Sequence, residues 1–255
     1  AGRSSSLADC ESTRFDPQTI RIDDRQVLRL LGYPRAARVA AAVTEALPRA
    51  IRTARSLAEP VALHELQDVR SVTRQQVQLA DGVTFRGRRL AQALRDARQT
   101  ALFALTLGPR VTEVIRSLAR EDPFESFLLD SVASILVEAV ADRFQARLEG
   151  RMNEQGAWGG FRYSPGYCDW PVDENRALLQ TIAATTIGVA LTPGGMMTPQ
   201  KSISGIIGFG DDPETIRVNP CPSCPRAECD HRRESSPRAL GPAEPLPDRG
   251  GGESE

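Results

Sequence analysis

The sequence predicts an α+β fold in which a curved antiparallel sheet packs with long helices. Two β-prone runs at residues 77–79 and 83–85 flank Ala80-Asp81-Gly82, and a turn of the Asp-Gly type joins antiparallel strands. Residues 123–148 carry apolar side chains at helical spacing, which predicts one long helix. A hairpin together with a helix of this length favours antiparallel strands curved around that helix.

The remaining elements follow in chain order from the same two periodicities. Apolar side chains at helical spacing predict helices over residues 25–31, 36–57, 90–97, 111–120 and 174–187. Apolar or alternating runs predict strands over residues 61–66, 100–107, 189–191 and 202–209. Gly32 is the stop signal of the first helix, and Gly108-Pro109 ends the strand at 100–107.

Composition divides the chain into three segments. Residues 1–18 are polar and Ser-rich, so they predict a flexible N-terminal arm. Residues 19–219 contain the periodic segments and predict a single domain. Residues 220–255 are rich in Pro, Glu and Arg and predict a largely disordered tail that contains a cysteine cluster.

Charge and hydropathy exclude several classes of protein. The formal net charge is -1, from 32 basic and 33 acidic residues, so the chain has no global basic field for nucleic acid. No apolar run reaches about 18 residues, the length that a membrane-spanning helix needs. The N-terminal residues do not have the layout of a signal peptide, and five cysteines are an odd number for a secreted disulfide framework. These observations predict a cytoplasmic protein.

Residues 162–171, Arg-Tyr-Ser-Pro-Gly-Tyr-Cys-Asp-Trp-Pro, predict a rigid loop that binds a small molecule. Pro165 and Pro171 fix backbone angles, and Gly166 permits an angle that other residues resist. The groups held by this backbone are a guanidinium, two phenols, a hydroxyl, a carboxylate and an indole. The alternative interpretation is a tight structural turn with one exposed Arg and some packed aromatic rings.

The side chains of this loop match the parts of S-adenosylmethionine. Arg162 has the planar fork that clamps a carboxylate. Tyr167 or Trp170 would cover a cation or a flat ring. A ligand with a carboxylate, a sulfonium and a purine would use all of these groups, and S-adenosylmethionine has all three parts.

Three acidic residues interrupt the apolar pattern of the long predicted helix. Asp130, Glu138 and Asp142 are spaced so that all three lie on one helical face.

Several motifs in the same order resemble the activation domain of vitamin B12-dependent methionine synthase. Arg162-Tyr-Ser-Pro-Gly-Tyr167 resembles the R-x-x-P-G-Y signature of that family, with Gly166 inside the motif. Further resemblances are the run Ala141-Asp142-Arg143, the segment from Leu191-Thr192 to Met196-Met197-Thr198-Pro199, and Ser202-Ile203-Ser204-Gly205. The resemblance covers roughly residues 20–218 and implies that Arg162, the backbone of Ser164, and Tyr167 bind S-adenosylmethionine.

The chain departs from the family pattern at two places. The family has tyrosines after its last strand, whereas residues 211–216 contain no Tyr. The family also has an Asp in an N-terminal arm that contacts the ligand amine. Asp169, Asp130 and Glu138 are the candidates for that role here.

The resemblance implies a subunit for reductive reactivation, or remethylation, of a cob(II)alamin-bearing corrinoid methyltransferase, above all methionine synthase. The chain has no Asp-x-His-x-x-Gly motif for ligating cobalt, so it is expected to act in trans on a partner that carries the cobalamin. A flavodoxin- or ferredoxin-like protein would supply the electron. The alternatives are a non-catalytic sensor or chaperone that binds a corrinoid or adenosyl ligand, and a metal-binding interaction protein.

The C-terminal cysteines follow the pattern C-x2-C-x4-C-x-H. Cys221, Cys224, Cys229 and His231 would supply three thiolates and one imidazole, which is a ligand set for zinc, and iron–sulfur ligation is the second choice. The alternative is a set of free thiols in a disordered tail.

Overall fold

The computed structural model describes residues 10–33 and 38–217. The helices are α1 (Asp24–Leu30), α2 (Ala41–Leu57), α3 (Arg88–Ala93), α4 (Pro109–Glu121), α5 (Pro123–Asn153), α6 (Asn175–Thr181) and α7 (Pro213–Ile216). The strands are β1 (Cys10–Arg14), β2 (Val61–Val72), β3 (Gln76–Leu79), β4 (Thr84–Arg86), β5 (Gln99–Thr106), β6 (Trp158–Tyr163), β7 (Ala190–Leu191), β8 (Met197–Thr198) and β9 (Ser202–Gly210).

Seven of these strands form one antiparallel sheet. Its order is β4-β3-β2-β5-β9-β6, and β1 pairs with the first half of β2. The strands β7 and β8 form a separate two-stranded sheet. The predicted α+β class, with antiparallel strands and long helices, is confirmed.

The large sheet separates two hydrophobic cores because alternate residues of each strand point to opposite faces. On β5, Phe103 and Leu105 join a core with α1, α2, α4 and α5, on what we call the helix face. Leu102 and Ala104 join a second core with α3, α6 and Trp170, on what we call the loop face. Both faces of β5 are therefore buried, as its almost continuous apolar sequence predicts.

Helix α5 lies at the centre of the helix-face core. Asp122 caps its first turn by accepting a hydrogen bond from the backbone N–H of Glu125, and Pro123 occupies the first helical position. Buried side chains recur along the whole helix, from Leu128 to Met152. The long predicted helix is confirmed, and it extends five residues beyond Leu148, to Asn153.

The structure differs from the predicted elements at two further places. Residues 10–14, predicted to belong to a flexible arm, form β1 and pair with residues 61–65 of β2. The sequence signal was missing because β1 is an edge strand with mostly exposed polar side chains. The predicted helix at 174–187 is two pieces, since α6 ends at Thr181 and Ala183 adopts a left-handed backbone with φ 49° before a 3-10 helix.

Strand β6 was not predicted because its glycines are more typical of loops than of strands. A Cβ atom at Gly160 would lie 2.8 Å from the carbonyl oxygen of Ile216, so close packing of α7 on the strand requires glycine there. Because β6 ends at Tyr163, both Arg162 and Tyr163 belong to an edge strand, and the loop proper begins at Ser164. Among the described residues, no helix is long and apolar enough to cross a membrane.

Candidate functional site

The loop of residues 164–171 folds back on itself through backbone hydrogen bonds. The N–H of Gly166 donates to the carbonyl of Trp170 at 2.8 Å, and the N–H of Tyr167 donates to Ser164 at 3.0 Å. Gly166 has φ +94° and Cys168 has φ 54°, both in the left-handed region. Glycine suits the first of these positions because it has no Cβ to clash.

Asp169 anchors the loop to helix α3. Its carboxylate accepts hydrogen bonds from the backbone N–H groups of Arg88 and Arg89, at 2.8 and 3.0 Å. Gly87, at the N-cap of α3, has no side chain that could do this. Asp169 therefore caps a helix from a distant segment. This contact already engages the carboxylate of Asp169, which is one of the candidates for the family's amine-binding acid.

Trp170 anchors the loop to the loop-face core. Its side chain is 1% exposed and meets the ring of Phe85 edge-on at 5.4 Å. The indole N–H donates to the buried carboxylate of Glu174 at 2.9 Å. Glu174 also accepts from the Arg86 side chain, and this bond raises the pKa of Arg86. Of the two rings expected to cover a ligand, Tyr167 or Trp170, the second is excluded because it lies inside the core.

Arg162 faces helix α5. It pairs in register with Ile207 of β9, and Ile207 belongs to the helix-face core. Its Nη2 atom donates to Asp142 at 2.8 Å and to Glu138 at 3.4 Å. Its Nη1 atom donates to Gln145 at 2.9 Å, and the side chain is only 11% exposed.

The acidic face predicted on α5 exists, and each of its carboxylates has a cation beneath it. Asp130 pairs with Lys201 at 2.8 Å, while Glu138 and Asp142 share Arg162. Lys201 is the sole lysine of the chain, and its side chain is 11% exposed. Around Arg162, one guanidinium faces two carboxylates, so this cluster has a net negative charge.

The other predicted ligand residues follow Arg162 directly along the chain. Ser164 is half-buried, whereas Gly166 and Tyr167 are exposed, with 42% of Tyr167 accessible. The structure thus places the guanidinium at the end of β6 and the other three residues in the tight turn after it. Sequence reasoning missed Gln145, although its position three residues after Asp142 places it on the same side of α5.

The predicted metal ligands Cys221, Cys224, Cys229 and His231 lie outside the described residues. Within residues 10–33 and 38–217, no group of three or more His, Cys, Asp or Glu side chains is arranged to hold a metal ion. A groove of about 330 Å³ lies between α2, α4 and α5, and its lining residues do not include the loop.

Comparison with known proteins identifies the class of domain. In its fold, the chain is similar to a crystal structure of the MetH reactivation domain bound to AdoHcy, with a TM-score of 0.56 and 18% sequence identity. The match covers 80% of this chain and 79% of that chain. A family model for the vitamin B12 dependent methionine synthase activation domain matches residues 53–222. The chain belongs to this family.

Proposed function

We propose that this chain binds S-adenosylmethionine at Arg162, Ser164, Gly166 and Tyr167 and acts in trans to reactivate a corrinoid methyltransferase, above all methionine synthase. Family membership supports the role. The observation that supports the site is the nearly buried Arg162 guanidinium, held by three α5 side chains directly before an anchored turn.

The residues present fit the chemical parts of this ligand. The Arg162 fork suits a carboxylate, which would replace one of the guanidinium's present acceptors. Glu138 and Asp142 supply negative charge for a ligand whose ammonium and sulfonium make it a net cation. The exposed ring of Tyr167 offers a π-face to a sulfonium or a purine.

In the proposed reaction this chain orients the methyl donor. A corrinoid carried by the partner protein would supply the nucleophile for the sulfonium methyl group, and S-adenosylhomocysteine would remain. A flavodoxin- or ferredoxin-like donor supplies the electron for the reductive step. Arg162 and the 164–171 turn hold the ligand in one orientation, so the contribution of the chain is positioning and electrostatics.

Calorimetric titration of the full chain with S-adenosylmethionine tests the proposal. We expect wild type to bind and Arg162→Ala to bind at least about tenfold more weakly, because a charged hydrogen-bonding group is lost. Arg110→Ala is the matched control, since Arg110 is an exposed arginine paired with Glu59 on another part of the surface. Undetectable binding by wild type would overturn the proposal.

A non-catalytic sensor or chaperone is the second candidate, and the segment after β9 favours it. Residues 211–216 contain no Tyr; instead Asp212 caps α7 and the buried Ile216 packs onto the sheet. This segment therefore has a structural role where the family pattern has ligand-binding phenols. Methylation of the partner's corrinoid in the presence of reductant and S-adenosylmethionine supports the reactivation role, and binding without turnover supports the sensor.

The cysteine cluster stays a proposed metal site. The motif of Cys221, Cys224, Cys229 and His231 supports zinc, with an iron–sulfur centre as the alternative. Elemental analysis and visible absorption of anaerobically purified protein distinguish zinc, iron and no metal. Full activity after removal of residues 220–255 would contradict the idea that the cluster is the functional part of the chain.

A further inference from the structure

Gln145 makes hydrogen bonds to three residues around the candidate site, two of them on β6 and one on its own helix. Its Oε1 atom accepts from Nη1 of Arg162 at 2.9 Å. Its Nε2 atom donates to Oε1 of Glu149 at 2.7 Å, one turn further along α5, and to the carbonyl of Gly160 in β6 at 3.0 Å. A single amide therefore connects the helix, the backbone of the edge strand and the guanidinium.

The orientation of this amide is fixed by its partners. Glu149 and the Gly160 carbonyl are both acceptors, so they require the NH2 end of the amide. The oxygen of Gln145 must then face Arg162, where it accepts a charge-assisted hydrogen bond. A flipped amide would place an N–H group against the guanidinium and an oxygen against a carboxylate.

Arg217 holds the far end of the same network. Its Nη2 atom donates to Oε2 of Glu149 at 3.3 Å, and its Nε atom donates to the carbonyl of Gly159 at 3.1 Å. Its guanidinium also lies over the ring of Trp158, 5.9 Å from the centroid. The network thus binds two consecutive β6 carbonyls, at Gly159 and Gly160, and aligns the strand that carries Arg162.

We propose that Gln145 is a positioning residue for ligand recognition, acting through Arg162, with Glu149 and Arg217 as its support. The inference rests on the proposed S-adenosylmethionine site and adds residues that the R-x-x-P-G-Y motif does not contain. The physical reason is that Asp142 and Glu138 both contact Nη2, and they leave the rotation of the guanidinium about that atom undetermined. The bond from Nη1 to Gln145 removes this freedom before the ligand arrives.

The first test replaces Gln145 by Met, which has a similar length and no amide. We expect the dissociation constant for S-adenosylmethionine to rise about tenfold, because one charge-assisted hydrogen bond that preorganises Arg162 is lost. Gln26→Met, at an exposed position of α1, is the matched control and should bind like wild type. Circular dichroism melting of each variant checks that the domain is folded.

The second test uses rescue, which a merely structural role would not produce. Gln145→Glu keeps the acceptor for Arg162 but places a carboxylate against Glu149 and the Gly160 carbonyl. We expect Gln145→Glu to bind weakly at neutral pH. At mildly acidic pH its affinity should rise towards that of wild type, because a protonated carboxyl group again donates. The double variant Gln145→Glu with Glu149→Gln exchanges amide and carboxylate, and it should recover much of the affinity at neutral pH.

The outcomes separate this inference from the proposed function. If wild type binds, Arg162→Ala loses affinity, and Gln145→Met stays within about twofold of wild type, the positioning role is wrong and the site stands. If Gln145→Met does not fold, failure of the exchanged double variant to bind better than Gln145→Glu overturns the inference. If wild type does not bind the ligand, the proposed function fails and this inference fails with it.

Discussion

The two ends of segment 162–171 are fixed by different kinds of contact. At its start, Arg162 is held by carboxylates of α5, and these are well exposed, with 49% of the Glu138 side chain and 74% of the Asp142 side chain accessible. At its end, Asp169 caps α3 and Trp170 lies in the core with 1% exposure. The first end uses groups that solvent and a ligand can reach, whereas the second end uses groups that stabilise the fold.

This difference shows how a short motif can combine recognition with rigidity. A buried indole and a capped helix restrict the turn between them, so Tyr167 and the backbone of Ser164 are presented on a fixed scaffold. The carboxylates around Arg162 are exposed, so each of their ion pairs should contribute less to stability than the buried indole does; surface pairs typically contribute about 0–1 kcal/mol. Substitutions at the start of this ten-residue segment should therefore affect ligand binding more than stability, and substitutions at its end should affect stability more than binding.

The largest expected effect is from Trp170→Ala. Removal of a buried indole leaves a cavity and takes one hydrogen-bond donor from the buried Glu174 carboxylate, and we expect the free energy of unfolding to fall by about 3–5 kcal/mol. Urea denaturation of Trp170→Ala and of Arg162→Ala measures the contrast. Arg162→Ala should cost less, about 1–2 kcal/mol, because two of its three acceptors are exposed carboxylates, while it weakens ligand binding. Equal destabilisation by the two variants would contradict the proposed division of the segment.

A smaller effect is expected from Asp169→Ala. The loss of a helix cap should lower the free energy of unfolding by about 1 kcal/mol, because the amides of Arg88 and Arg89 lose their acceptor. Asp173→Ala is the control, since Asp173 is exposed and close in sequence. If Asp169→Ala abolished ligand binding without any loss of stability, Asp169 would belong to the recognition end instead.

The weakest effect is a pH dependence that should arise outside the segment. His64 is 3% exposed and packs against Phe144, and burial lowers its pKa, although Glu11 opposes this by its charge. The unfolded state then binds the proton more readily than the folded state. The contribution of His64 to stability is therefore fully present above about pH 6.5 and is lost as the pH falls towards its lowered folded pKa.

The carboxylate of Glu11 adds to this acid sensitivity. The hydrogen bond from Arg151 lowers its pKa, so its contribution is present above its unfolded pKa and is lost as the pH falls through the folded pKa.

Chemical denaturation across this pH range should give a flatter profile for His64→Phe than for wild type. An unchanged profile would mean that burial of His64 does not cause the loss of stability in acid.

Much of the fold was readable from local patterns. The Asp-Gly hairpin, the apolar strand β5 and the long helix α5 depend on turn chemistry and periodicity, which a sequence displays directly. Strands β1 and β6 were not readable, because the first is polar and exposed and the second is rich in glycine. What makes them strands is pairing with β2 and β9, which lie far away in the chain.

The candidate site divides in the same way. The motif from Arg162 to Tyr167 was visible in the sequence, as was the shared face of the α5 acids. Gln145 was not visible as a site residue, because a single Gln on a helix has no signature. It acquires a role only when β6 lies beside α5 and brings the Arg162 guanidinium within 2.9 Å.

The sequence by itself determined the family resemblance, the turn from Ser164 to Tyr167 and the spacing of Asp130, Glu138 and Asp142, since these depend on neighbours along the chain. Only the tertiary structure decided that Trp170 lies in the core, that Asp169 caps α3, and that Arg162 meets three side chains of α5. The physical reason is that the partner of a side chain depends on strand order and register, which bring together segments that are distant in sequence.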